Sequence, residues 1–425
     1  MDTKLGVRKW VTFLLVGLFG QLAWMIENMY FNVFLYNTIS TDPRYIASMV
    51  TWSALAATVT TLIMGALSDK IGRRKPFICW GYVLWGLSTA AFGFITPENA
   101  ALLFPGAGAV AAAATMVVVL DCVMTFFGST ANDAAFNAYV TDTTCPANRG
   151  RVEAVLAILP LVAMLVIFGL FDGMTQQGRW REFFGIFGAA VTAVGLIALF
   201  LVKDAPELRP KQGGFSELFY GFRFQTYKEN RELYLSYATF ALFACAVQVF
   251  FPYLIIYIQH YLGITDYAVV LGVVLVIASV VSVVSGRFID KWGKLNFVFP
   301  AGLVMLAGLV GMYFARGMAA VMAAGTVMMS GYMMLSAVLS ADIRDRTPKD
   351  RVGHFQGVRM IYGVLFPMVA GPSIGVLVIQ NSAGTYEELG QVKSVPTPEI
   401  FLAAAVVLLL AVIPDIILRK REKKK

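Results

Sequence analysis

The sequence holds only two histidines and four cysteines, and neither set is placed for catalysis. Cys79, Cys122, Cys145 and Cys245 are scattered in or beside apolar runs, without the close spacing of a metal cluster or a disulfide framework. His260 and His354 lie near the ends of such runs, which argues against either as an intramembrane proton carrier. There is no glycine-rich phosphate cradle and no nucleophile–histidine pair. An enzyme is therefore not expected, and no cofactor or metal is called for. A removable leader is not expected either, because Met1 to Trp10 runs into a long apolar segment without a small-residue cleavage site.

What is abundant is apolar sequence. Of 425 residues, 58% are hydrophobic, and the mean hydropathy is +0.70. Soluble domains rarely exceed about half apolar residues. A membrane-crossing helix needs roughly 20 mostly apolar residues. Twelve such runs are present, near 10–36, 44–67, 77–95, 108–141, 152–173, 181–202, 234–261, 267–285, 297–315, 318–341, 353–380 and 400–418. The segment 96–142 exceeds a simple span, so part of 100–114 is expected as an external turn or a tilted extension. The formal net charge of +8 does not indicate nucleic acid, because the cations lie in the gaps between runs. With the N-terminus inside, 28 of the 34 lysines and arginines fall on the inner side. Both termini are thus expected in the cytoplasm, the protein being multi-pass in the plasma (inner) membrane with the lipid bilayer as its surroundings.

The gaps carry the strongest motif. Gly65-Ala-Leu-Ser-Asp69-Lys-Ile-Gly72-Arg73-Arg74-Lys-Pro-Phe77 joins two apolar runs, and Gly286-Arg-Phe-Ile-Asp290-Lys-Trp-Gly293-Lys294 repeats it at an offset of 221 residues. A basic turn that anchors helices to lipid headgroups accounts for one copy, not for two at equivalent places. Gly-x-x-x-Asp-x-x-Gly-Arg-Arg/Lys, repeated in this way, resembles the signature of the major facilitator superfamily. The resemblance implies an all-α membrane protein with twelve transmembrane helices in two pseudo-symmetric six-helix bundles. It places an N-terminal bundle at 1–203, a cytoplasmic linker at 204–232 and a C-terminal bundle with a basic tail at 233–425. It implies a secondary transporter, expected as a monomer, that moves a small-molecule solute through a site near mid-membrane. Gly65, Asp69, Gly72, Arg73, Arg149, Arg151, Gly286, Asp290, Gly293 and Arg351 are the candidate cytoplasmic gate, with Asp69 and Asp290 pairing to inner-surface cations. In the linker, Phe215, Leu218, Phe219 and Phe222 repeat at helical spacing, which suits an amphipathic helix on the inner leaflet or a solvated tether. The polar stretch 382–398 carries no function. The tail from Arg419 to Lys425 suits contact with anionic headgroups or a plain stop-transfer anchor.

Charges inside membrane runs are costly and mark pathways. Glu27, Asp121, Asp133 and Arg359 are such charges, with Glu153 near the inner end of the fifth run. Thr130, Asp133 and Asn137 share a face, with Asn132 beside it; Asp121 lies about 18 Å further along the helix. Gln356, Arg359 and Tyr362 form a face on the eleventh run, and Gln248 and Tyr253 flank Pro252 on the seventh. Each group also has a packing alternative: a carboxylate can pair with a neighbouring helix, and a ring can simply fill space. Trp24, Glu27, Asn28, Tyr30, Asn137, Gln248, Tyr253, Arg359 and Tyr362 are the candidate substrate residues. Asp133, Glu27 and Asp121 are the candidates for cation coupling.

Within the superfamily, Asp69 to Phe77 resembles the glycoside–pentoside–hexuronide cation symporters and the sucrose-type carriers. Trp24-Met-Ile-Glu27-Asn-Met-Tyr30 resembles the first helix of the sucrose-type carriers, and Asn132-Asp133-Ala-Ala-Phe-Asn-Ala-Tyr139 falls where melibiose-type carriers place an aspartate serving sugar and cation. Arg351-Val-Gly-His-Phe-Gln-Gly-Val-Arg359 resembles their helix 11. The resemblance implies cation-coupled symport of a sugar or glycoside. Two departures bear on the cation and the sugar. The second run, 49–67, has no acidic residue, and Gly17-Leu-Phe-Gly20 is followed by Gln21 and Leu22 rather than an acid. Protons therefore fit better than sodium, since one buried carboxylate suffices to carry a proton. The rival readings are a carrier of another amphipathic solute, such as a lysolipid or drug, and a transport-dead sensor or scaffold.

Overall fold

A computed structural model of the chain describes residues 5–106, 108–144, 152, 155–156, 158–205, 208, 210, 220–292, 294–348, 355–381, 385–388 and 391–422. Long helices dominate them: α1 (Val7–Ile39), α2 (Pro43–Ile71), α3 (Lys75–Phe94), the short α4 (Pro97–Leu103), α5 (Ala109–Thr143), α6 (Leu159–Gln176), α7 (Trp180–Leu201), the short α8 (Phe224–Glu229), α9 (Arg231–Tyr261), α10 (Tyr267–Trp292), α11 (Leu295–Phe314), α12 (Met318–Arg346), α13 (Gly357–Asn381) and α14 (Glu399–Glu422). Eleven of these are long and apolar enough to cross a membrane, and α10 is apolar over Tyr267–Ser282. They correspond to the twelve apolar runs. In lipid a backbone must satisfy its own polar groups, which is why each run closes into a helix.

Three segments differ from the sequence reading. The overlong fourth run is divided: Thr96 caps α4 by accepting from Asn99 N, and a turn holding Gly106 at φ +102° separates α4 from α5. The polar stretch after α13 forms a hairpin, β1 (Thr385–Glu388) antiparallel to β2 (Gln391–Ser394), with Thr385 opposite Ser394. In the linker, Phe215, Leu218 and Phe219 lie outside the described residues. Phe222 falls in a single 3₁₀ turn, Tyr220–Phe222, ahead of α8.

The chain divides into two compact units, Met1–Ser40 with Leu55–Phe215, and Thr41–Ala54 with Ser216–Lys425. In the first, α3 and α7 touch backbone to backbone. A Cβ on Gly86 would lie 2.4 Å from Gly188 O, and one on Gly195 would lie 2.6 Å from Val83 N. The second unit repeats the device between α11 and α12, where a Cβ on Gly308 would lie 2.2 Å from Met328 N and one on Gly331 2.3 Å from Met305 N. Small residues at such contacts give close van der Waals packing, which must hold helices together where no hydrophobic effect drives them.

Several helices widen locally to i→i+5 hydrogen bonding, a feature frequent at functional sites. The widened stretches are Ile26–Tyr30 and Leu35–Ile39 in α1, Ser129–Phe136 in α5, Ile167–Phe171 in α6, Tyr257–Tyr261 in α9 and Ile361–Leu365 in α13. Glu27 and Asp133 both sit inside one.

Candidate functional site

In the first unit the structure brings α1 and α5 together around polar side chains. Glu27 is buried, and its Oε1 accepts a 3.0 Å hydrogen bond from Thr125 Oγ1 on α5. Asp121 stands one turn from Thr125 and is also buried. Asp133, further along α5, is half-buried and accepts from Ser129 Oγ at 3.0 Å. Between these levels lies Gly128, where a Cβ would come within 3.1 Å of Trp24 and 2.7 Å of Trp85. The glycine thus seats the half-buried Trp24 ring, whose centroid is 4.9 Å from that of Trp85. Asn28 is half-buried and donates to Trp24 O at 2.7 Å.

The neighbouring asparagine works differently. Asn132 Nδ2 donates to Tyr82 Oη at 2.8 Å, and Tyr82 Oη donates to Val16 O at 2.6 Å. This chain ties α5, α3 and α1 together, and a Cβ on Gly20 would collide with the Asn132 amide at 2.2 Å. The face expected from Thr130, Asp133 and Asn137 is only partly formed. Thr130 is buried and donates to Phe126 O, Asp133 is half-buried, and Asn137 is exposed with its amide on Asp133 O at 3.1 Å. The widened turn over Ser129–Phe136 rotates the residues away from ordinary helical phase.

Tyr30, read as a candidate sugar platform, is fully enclosed. Its ring packs 5.3 Å from Phe183 and 6.0 Å from Phe168, and its hydroxyl donates to Asp172 Oδ1 at 2.8 Å. Gln176 Nε2 donates to the other Asp172 oxygen at 2.6 Å. Sequence reasoning missed Asp172 because it stands at the end of the fifth run, where a charge is unremarkable.

In the second unit, Tyr253 is likewise fully buried, with its hydroxyl 3.2 Å from Pro372 O and its ring filling the space left by Gly375. Tyr362 is half-buried and packs 5.9 Å from Tyr237, beside a core of Leu233, Tyr234, Ile343, Phe355 and Val358. Tyr253 and Tyr362 thus serve packing. Gln248 is half-buried where α9 meets α13 at Gly371. Arg359 is exposed and makes no ion pair among the described residues.

The first signature turn is built around Arg74 rather than the Arg73 of the sequence reading. Gly72 ends α2 at φ +68°, the left-handed conformation glycine adopts without strain, and its N–H returns to Ser68 O at 3.0 Å. The turn leaves Arg73 exposed and buries Arg74. Arg74 donates to Asp69 Oδ1, to Ser68 Oγ and, at 2.9 Å, to Asp142 Oδ2 at the end of α5. Asp204 Oδ1, just past α7, accepts from Arg74 N and Lys75 N at 2.8 and 2.9 Å and so caps α3. Burial works against the charge of Arg74, but the hydrogen bonds to Asp142 and Asp69 outweigh it and hold the guanidinium above its ordinary pKa. The residues Arg149, Arg151, Glu153, Gly293 and Arg351 lie outside the described residues. Gly286 and Asp290 are placed in α10 by their backbone alone.

A second arginine cluster was not anticipated. Arg346, ending α12, donates through Nε to Asp342 at 2.8 Å and through Nη2 to Glu422 at 2.6 Å, and lies 3.5 Å from Glu232. Ser236 Oγ also donates to Asp342 at 2.6 Å. This cluster joins the ends of α9, α12 and α14.

Among the described residues, eleven helices long and apolar enough to cross a membrane, one shorter apolar helix and buried carboxylates within spans, with the Gly–Asp–Gly signature repeated in the sequence, are the features of a membrane transporter. The sequence matches the Major Facilitator Superfamily over residues 13–372, and the chain belongs to that superfamily. It is an integral, multi-pass secondary transporter and not an enzyme. A comparison with curated proteins gives no match. Among solved structures, a nucleoside transporter NupG variant aligns with a TM-score of 0.71 at 11% identity, over 97% of this chain and 100% of that one. The xylose transporter XylE from E. coli aligns with a TM-score of 0.67 at 14% identity, over 95% and 97%. A bacterial homolog of the human lysosomal transporter Spinster aligns with a TM-score of 0.68 at 13% identity, over 98% of each.

Proposed function

We propose that the protein takes up a sugar or glycoside in symport with a proton, by alternating access. The observation that carries this reading is the Asp133–Ser129 pair, a half-buried carboxyl on a widened turn of α5 whose partner is a hydroxyl. A hydroxyl donates to a carboxylate and accepts from a carboxylic acid, so this pair keeps its hydrogen bond in both protonation states. Asp133 is the coupling residue, with Glu27 and Asp121 as the buried reserve behind it. Sodium is the less favoured ion. Trp24 offers a ring to the C–H face of a sugar, and Glu27, Asn28 and Asn137 offer polar partners. Two of the similar structures are named for a nucleoside and for xylose, both rich in hydroxyls. The Asp69–Arg74–Asp142 cluster is the first unit's part of the cytoplasmic gate, and both termini lie in the cytoplasm of a monomeric inner-membrane protein.

The test is a thermal-shift screen of the purified protein against mono- and disaccharides, with and without sodium, since a ligand bound to the folded state alone raises its stability. Stabilisation by a sugar without sodium supports the proposal. If no sugar stabilises the protein and lysolipids or hydrophobic drugs do, the solute is amphipathic instead.

A further inference from the structure

Within the second unit, α9, α11, α12 and α14 leave a narrow apolar groove. Phe243, Gly302, Leu303, Leu339 and Leu409 line it, and Asp415 stands at one end. Leu303 and Leu409 are each about half exposed, at 49% and 51%, so the groove opens sideways along the helices. On membrane-spanning helices that is the direction of lipid. The lining runs from Val298 to Leu306 on α11, which is about 12 Å along the helix axis. Gly302 leaves its floor empty, since a Cβ there would meet no atom within 4 Å.

The one charged lining residue is Asp415, and cations follow it along α14. Asp415 is buried and already engaged by Arg419 Nε at 2.7 Å, and Arg419 Nη2 donates to Leu295 O. Glu422 is engaged by Arg346. Lys420 and Arg421 are exposed beside them, and the sequence continues with Lys423, Lys424 and Lys425. A narrow apolar slot that closes on several cations is complementary to one fatty chain attached to an anionic head. Basic residues at a membrane surface attract anionic lipid.

We propose that this groove binds one acyl chain of an anionic glycerophospholipid, with its phosphate against Arg419, Lys420 and Arg421. The site lies within one unit and does not depend on the transported solute.

The test uses the purified full-length protein, with phosphatidylglycerol and phosphatidylcholine of identical chains as probes. Native mass spectrometry counts retained lipid, and thermal unfolding is followed in parallel. Wild type should retain one phosphatidylglycerol about tenfold more strongly than phosphatidylcholine. Gly302→Phe fills the slot and should weaken phosphatidylglycerol retention about tenfold, the equivalent of burying roughly two fewer methylenes. Its unfolding temperature without lipid should be unchanged or higher. Gly302→Val, a smaller filling, should shift retention in the same direction, and it serves if the phenylalanine variant does not fold. Lys420→Ala with Arg421→Ala should bring phosphatidylglycerol down to the level of phosphatidylcholine. Equal retention of both lipids by wild type, or unchanged retention in the folded Gly302 variants, overturns the proposal.

Discussion

The two units hold their carboxylates in different ways. In the second, Asp342 pairs with Arg346 and Asp415 with Arg419, each one turn away on the same helix. In the first, hydroxyls reach three carboxylates: Thr125 for Glu27, Ser129 for Asp133 and Tyr30 for Asp172, which also accepts from the Gln176 amide. A guanidinium only donates, so it favours the ionised form of its partner and loses its bond if that partner takes a proton. A hydroxyl serves either state. Guanidinium partners thus suit structural clamps, and hydroxyl partners suit carboxylates that change their charge. The first unit's clamp, Arg74 between Asp69 and Asp142, follows the rule of the second, and its acids stand in the last turns of α2 and α5.

The largest effects should come from breaking the clamps. Arg74→Ala takes the cation from Asp69 and Asp142, and Arg346→Ala takes it from Asp342, Glu232 and Glu422; removing one partner of a buried ion pair costs about 3–5 kcal/mol. Both variants should show a sharp loss of folded protein and a lowered unfolding temperature. Asp69→Asn removes one of two acids facing Arg74. It should insert and fold yet transport more slowly, and a normal uptake rate would show that this turn is no gate. Next come the hydroxyl-partnered groups. Glu27→Gln and Asn137→Ala should weaken sugar binding about five- to a hundredfold, from the roughly 1–3 kcal/mol cost of a lost polar partner. Calorimetric titration with the stabilising sugar checks this, and an apolar probe should bind as before. Asp133→Asn should change stability by less than about 1 kcal/mol, because an amide still bonds Ser129. It should abolish accumulation driven by a pH gradient while sparing solute exchange in proteoliposomes. Arg73→Ala should do least, within about 0.5 kcal/mol of wild type, as an exposed side chain away from such features.

The positions of the spans were readable because the bilayer fixes their length and forces each one to be helical. The gate turn was readable in part. Two glycines and an aspartate at fixed spacing announced it, and Gly72 does take the left-handed turn. Which of four adjacent cations turns inward was not readable, since that depends on the phase of the chain after Gly72 and on Asp142 and Asp204, far along the sequence. The polar face of α5 was misjudged at Thr130 because i→i+5 bonding shifts the phase of the helix, and no residue pattern announces it. Tyr30 and Tyr253 show a different limit: a ring that packs and a ring that binds have the same composition, and only their partners, Asp172 and Pro372, separate them. The Arg346 cluster escaped notice because its five members come from three distant stretches that each read as an ordinary helix end.

The most direct measurement of the central contrast is infrared difference spectroscopy of the carboxylic-acid band while pH is varied across neutrality. It requires no knowledge of the solute. The account expects a band that titrates in wild type and is removed or reduced by Asp133→Asn, Glu27→Gln or Asp121→Asn. A titrating band that survives all three substitutions unchanged would contradict it.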